Sequence, residues 1–78
     1  MQEMYVRVKS FQDVRAISVL AGRERYRITI SDGRRTVNAK SLMGIFTLNL
    51  GGPLLLQLDC GDDEGEAFRG KATRFVEA

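Results

Sequence analysis

Between Val37 and Leu50 the spacing of apolar residues changes in mid-run, and only a chain that passes from strand to helix accommodates the change. Val37-Asn38-Ala39 ends an alternating pattern, whereas Leu42, Met43, Ile45, Phe46, Leu48 and Leu50 are too dense for alternation. Leu42, Ile45 and Phe46 fall at the i, i+3, i+4 spacing of one helical face. Ser41 stands just ahead of them and reads as a helix N-cap, because its hydroxyl can accept a bond from a free N–H of the first turn. Leu42 and Met43 are adjacent and cannot both point inward on a single turn, so one is left at the surface. A serine at a helix start beside exposed apolar side chains is placed for a contact surface under phosphate control.

The rest of the chain arranges itself around that stretch. Met4 to Lys9 alternates, with Met4, Val6 and Val8 on one side, and predicts a first strand. Ser10 and Asp13 fit a capping box, the carboxylate also favoured by the helix dipole. Val14, Ile17, Leu20 and Ala21 form the inward stripe of a first helix that Gly22 stops. Tyr26, Ile28 and Ile30 alternate against Arg25, Arg27 and Thr29, Ser31-Asp32-Gly33 turns the chain, and Arg35 to Ala39 returns as a third strand. Gly51-Gly52-Pro53 ends the central element. Leu54 to Cys60 predicts a fourth strand, and Gly61-Asp62-Asp63-Glu64 the acidic start of a last helix. Its inward face is Ala67 or Phe68, Ala72, Phe75 and Val76. Gly65 and Gly70 each cost that helix ~1 kcal/mol relative to Ala, which predicts fraying.

The order is therefore β-α-β-β-α-β-α in one domain over residues 1–78, of class α+β. Three helices with one apolar side each predict a two-layer, open-faced β-sandwich: a mainly antiparallel four-stranded sheet covered on one face. A chain of 78 residues supports one modest core. Its 44% hydrophobic and 28% charged residues are those of a folded domain. No apolar run approaches the ~20 residues of a membrane span, and the N-terminus lacks the regions of a signal peptide. Cys60 is alone and cannot form an internal disulfide, which suits a buried thiol in a reducing compartment. Together these predict a cytoplasmic protein with no membrane association.

Chemistry narrows by elimination. The chain has no His, which removes the commonest general base, phosphoryl acceptor and metal ligand. One Cys without His leaves no zinc site, and Asp62, Asp63 and Glu64 do not match a calcium loop, so no metal and no cofactor is expected. The glycines match no phosphate-binding loop. Ser10, Ser18, Ser31 and Ser41 have no imidazole to activate them. The expectation is a protein that is not an enzyme. Up to Ser41 the chain carries nine Lys or Arg against four Asp or Glu, and beyond it three against six. That basic half suits an acidic partner, a phosphorylated group or nucleic acid, but alternating Arg23, Arg25 and Arg27 are also what the wet side of a strand shows.

The segment Val37-Asn38-Ala39-Lys40-Ser41-Leu42-Met43-Gly44-Ile45 resembles the regulatory-serine segment of HPr, the histidine-containing phosphocarrier of the bacterial sugar phosphotransferase system, where the pattern is close to V-N-x-K-S-I-M-G-V. The element order is also that of HPr proteins. Outside this segment the similarity is one of pattern only. The resemblance implies the HPr fold, Ser41 as a regulatory phosphorylation site, and a protein partner of the HPr-kinase or transcriptional-regulator class. Counted back from Ser41 without gaps, the phosphocarrier histidine falls on Ser10, the arginine that follows it on Gln12 and the proline on Asp13. Ser10 is thus a vestigial phosphocarrier position, and Asp13 puts negative charge where the family receives a phosphate. With no histidine, relay in the HPr manner is excluded by composition. The catabolite-repression relative of HPr also lacks the histidine.

Three function classes stay open. The first is a non-catalytic HPr-like regulatory or interaction module, contacting its partner through Lys40, Leu42, Met43 and Phe46, with Ser41 as switch. The second is a small nucleic-acid binder using Arg23, Arg25, Arg27, Arg34 and Arg35, although Tyr26 is the only aromatic interleaved with them. The third is an assembly domain working through the open sheet face. The oligomeric state expected is a monomer or a weak homodimer.

Overall fold

The computed structural model of the chain describes residues 1–77. Its elements follow the predicted order: β1 (Gln2–Val6), α1 (Phe11–Gly22), β2 (Ile28–Ser31), β3 (Thr36–Asn38), α2 (Leu42–Ile45), β4 (Leu54–Leu58) and α3 (Asp62–Lys71), then a 3₁₀ turn at Thr73–Phe75. The four strands form one sheet in the order β1-β4-β2-β3, and every pairing is antiparallel.

Register decides which side chains meet the helices. Met4 lies opposite Leu56, Leu56 opposite Ile30, and Ile30 opposite Val37, so one apolar row crosses the whole sheet. Leu54, Leu56 and Leu58 of the central β4 are fully buried against Val14, Ile17 and Ala21 of α1, Ile45 and Leu48, and Phe68, Ala72 and Phe75. Each such leucine contributes ~1.5–3 kcal/mol by leaving water. The alternate rows, Glu3-Gln57-Thr29-Asn38 and Tyr5-Leu55-Ser31-Thr36, form the uncovered face, where Gln57 donates to Glu3 at 2.7 Å. The molecule is an α+β open-faced sandwich.

Several boundaries differ from the sequence reading. β1 ends at Val6, opposite Leu54, because β4 begins just after Pro53 and offers Arg7–Lys9 no partner. Arg7 pairs instead with the C-terminal segment. Its N–H donates to Phe75 O, Glu77 N donates to Tyr5 O, both at 2.9 Å, and the Arg7 and Glu77 side chains form an ion pair. Val76, expected on a helix face, is bridged to Val6 and covers the β1 edge. β2 starts at Ile28, leaving Arg23–Arg27 as a connection, and the β2–β3 turn takes Gly33 through φ 94°.

Gly65 is buried in α3 because a side chain there has no room: a Cβ would come within 2.9 Å of Gln2 Cβ and closer to its Cγ. Around Gly70 nothing lies within 4 Å. Gly65→Ala therefore destabilises the fold by ~1–3 kcal/mol despite its helical gain, while Gly70→Ala stabilises it by ~0.5–1 kcal/mol. Urea unfolding of both variants checks the opposite signs; equal stabilisation would remove the close-approach explanation.

Candidate functional site

α2 is a single turn entered through Ser41. That residue is extended (φ −100°, ψ 108°), and its Oγ accepts the Gly44 N–H at 3.1 Å. Gly44 carries no Cβ, which would otherwise lie 3.3 Å from the same Oγ, so the hydroxyl stays exposed and uncrowded. After Ile45 the backbone tightens, with Thr47 N donating to Gly44 O and Leu48 N to Ile45 O, both at 3.0 Å. Such i−3 bonds shorten the period from 3.6 residues towards 3. The inward face becomes Leu42, Ile45 and Leu48, in place of the expected Leu42, Ile45 and Phe46. Ile45 and Leu48 are buried and Leu42 is half-buried. Phe46 is swung out to 39% exposure, and Met43 stands at 78%.

The outward side chains meet α1. Phe11, 58% exposed on the first turn of α1, stacks on Phe46 with ring centroids 5.2 Å apart and planes at 27°. Beside the pair runs a groove of about 420 Å³ between the α1 start and the α2 exit, lined by Val8, Ser10, Phe11, Phe46, Leu50 and Gly51. Phe11, Met43 and Phe46 thus form an apolar patch, with the Ser41 hydroxyl at the start of the same turn. Sequence reasoning did not single out Phe11. The available signal was a phenylalanine on the first turn that lies outside the Val14, Ile17, Ala21 stripe.

Long-range bonds fix this unit in place. Lys40 Nζ donates to Glu24 O at 2.8 Å, tying the turn before α2 to the α1–β2 connection. Its ammonium is thereby engaged 16 residues away along the chain. Ser18 Oγ donates to Lys40 O at 3.4 Å from α1. At the other end Asp32 acts as a clamp. One carboxylate oxygen accepts the Arg34 and Arg35 amides at 2.9 and 2.8 Å, and the other accepts the Asn49 amide at 2.8 Å, just past α2. These donors, Asn49 first, hold the Asp32 carboxyl down at about 2.

Ser10 caps α1 by accepting the Asp13 N–H at 3.3 Å, and the Asp13 carboxylate accepts the Lys9 N–H at 2.8 Å. The arginines do not gather into one stripe: Arg23, Arg25 and Arg27 precede β2, while Arg34 and Arg35 follow it. Tyr26 between them has a buried hydroxyl, pushed up to about 12 by burial and then by Glu24. Cys60 is half-buried, and burial raises its thiol too. Asp62, Asp63 and Glu64 make the first turn of α3, and among the described residues no three acids or sulfur ligands gather as a metal site would require.

No protein-family model matches the sequence, and no curated protein matches it. Solved structures do match in fold. HPr-C-His from Thermoanaerobacter tengcongensis is 25% identical with a TM-score of 0.75, over 95% of this chain and 89% of that one. The histidine-containing phosphocarrier protein of Mycoplasma is 17% identical with a TM-score of 0.72, over 99% of this chain and all of that one.

The Asp32 clamp has a pH consequence. Its carboxyl titrates lower in the folded chain than the ordinary 3.8, so the stability it supplies is complete above about pH 4 and is lost as pH falls towards 2. Asp32→Asn lowers the thermal midpoint at pH 7 and flattens the decline between about pH 4 and 2. Parallel melts of wild type and variant across that range check it; identical slopes would mean the clamp carries no linkage.

Proposed function

We propose that this HPr-like chain is a non-catalytic interaction module related to the sugar phosphotransferase system, whose working surface is the Phe11, Met43 and Phe46 patch and whose switch is Ser41. One observation carries the reading: an exposed, capping hydroxyl stands at the head of a turn whose apolar side chains are turned to solvent. Aromatic and methionine side chains suit the centre of an interface, the first because they bring large area at low entropy cost and the second because it adapts its shape. Lys40 in this reading is chiefly a positioning residue, since its ammonium is already bonded to Glu24 O.

A phosphate on Ser41 adds nearly two negative charges beside Met43 while keeping the Gly44 N–H as a donor. A partner presenting an apolar groove is then repelled, and one presenting Arg or Lys is recruited. The partner in this reading is of the HPr-kinase or transcriptional-regulator class. Phosphoryl relay through Ser10 is not part of the proposal. The chain has no histidine, and the Ser10 hydroxyl caps α1 beside the Asp13 carboxylate.

The test has two arms. Incubation with a kinase that phosphorylates HPr on serine adds one phosphate to wild type, located at Ser41 by mass spectrometry, and none to Ser41→Ala. HPr modified alongside an unmodified chain would remove the switch. In binding assays with an HPr-responsive regulator, Met43→Asp weakens the complex by roughly tenfold or more, as truncating a central anchor does. Undiminished binding would move the surface elsewhere.

A further inference from the structure

The opposite flank of α1 carries a second feature that the proposed function does not use. Residues Val14, Ile17 and Ala21 face the sheet, and Phe11 and Ser18 face α2. Gln12, Arg15, Ala16 and Val19 fall at i, i+3, i+4 and i+7, a separate stripe turned towards the C-terminal turn. Together with Leu20, Lys71, Arg74 and Phe75 they enclose a trough of about 400 Å³.

Its floor is apolar and its walls are cationic. Val19, 44% exposed, makes up its apolar lining with Ala16, Leu20 and Phe75. No carboxylate lines it. Arg74 is held over the Phe75 ring, 4.4 Å from its centroid, and Lys71 is held by Glu24 at 3.2 Å. Arg15 and Arg74 form no ion pair among the described residues. Two uncompensated guanidinium groups at the rim of an apolar trough favour one kind of guest. Its anion meets the fork of an arginine, and its body covers the exposed valine. The volume lies in the range of small-molecule sites. An inorganic anion would leave the floor wet, and a neutral hydrocarbon would leave the cations unpaired.

We propose that the trough between α1 and the C-terminal turn binds a small organic anion with an apolar body, of the aryl or acyl carboxylate or phosphate class. The site is separate from the Ser41 surface and stands or falls independently of it.

The full chain, labelled with ¹⁵N, is titrated with 4-phenylbutyrate and with phenyl phosphate while amide shifts are followed. The expected result is saturable shifts confined to residues 12–20 and 71–75, with a dissociation constant below about 1 mM. Arg15→Glu and Arg74→Glu, both at exposed positions, each weaken binding on the order of tenfold while the amide spectrum remains that of the folded chain. 4-Phenylbutylamine and inorganic phosphate give no saturable shifts there. Equal binding of the amine, shifts that never saturate, or shifts centred on Phe11, Met43 and Phe46 would each overturn the proposal. Tighter binding of the peptide acetyl-Asp-Leu-Asp-Leu-amide than of phenylbutyrate would overturn it too, by making the trough a contact for acidic protein.

Discussion

A single helical turn has no stability of its own, because nucleating it orders several residues for one hydrogen bond. α2 is such a turn, four residues long, and the candidate surface is built on it. It stands because it is held from every side. Ser41 caps its start, Ile45 and Leu48 anchor it in the core, and the Asp32 carboxylate fixes its exit through the Asn49 amide. Lys40 and Ser18 tie its entrance to α1 and to the connection that follows it. The orientation of Met43 and Phe46 is therefore inherited from a hairpin turn and a loop that contribute nothing to the patch itself.

α1 is the element that relates the sheet to everything outside it. Twelve residues give it a little over three turns, enough to present three different stripes. One packs on β4 and its neighbours, one meets α2, and one borders the C-terminal turn. The sheet face under α1 is continuous and apolar, so the helix cannot roll without exposing Ile17 or Val14. Fixing that one stripe fixes the other two. The aromatic stack on one flank and the cationic trough on the other are then consequences of a single packing decision.

Much of this was legible in the residues. The alternation of β1 and β2, the short apolar run of β4, the two capping serines and the break at Pro53 all specify local structure through short-range physics, and they yield the element order and the open-faced class. What escaped was set by neighbours distant in sequence. Whether Phe46 points in or out depends on a shift from i−4 to i−3 bonding after Ile45, which the apolar spacing does not encode. Val76 leaves its helix because the β1 edge needs covering, and Gly65 is required by Gln2, 63 residues earlier in the chain. Likewise the Lys40 ammonium reads as a neighbour of Ser41 in sequence, yet it is engaged by a carbonyl of the α1–β2 connection. Phe11 gains meaning only when Phe46 is placed against it.

The chemistry of the α1 start separates a relay from a docking module. A relay needs a nitrogen or other nucleophile that accepts a phosphoryl group and releases it, in surroundings that tolerate the extra charge. Here the Ser10 hydroxyl accepts a helix amide, and the Asp13 carboxylate three residues on adds repulsion to any incoming dianion. In the proposed reading, a phosphoryl group presented to this end meets no histidine and an adjacent carboxylate. Beside it stands an aromatic pair, and stacked rings gain from burial whether or not any group is transferred. An apolar patch of that kind supports a contact whose lifetime is set by desolvation, while charge added to the serine at the head of α2 would be met by the Gly44 amide that already donates to its hydroxyl. In the proposed reading, modification at Ser41 and the absence of a relay histidine are compatible, because Ser41 and Ser10 occupy different ends of one surface.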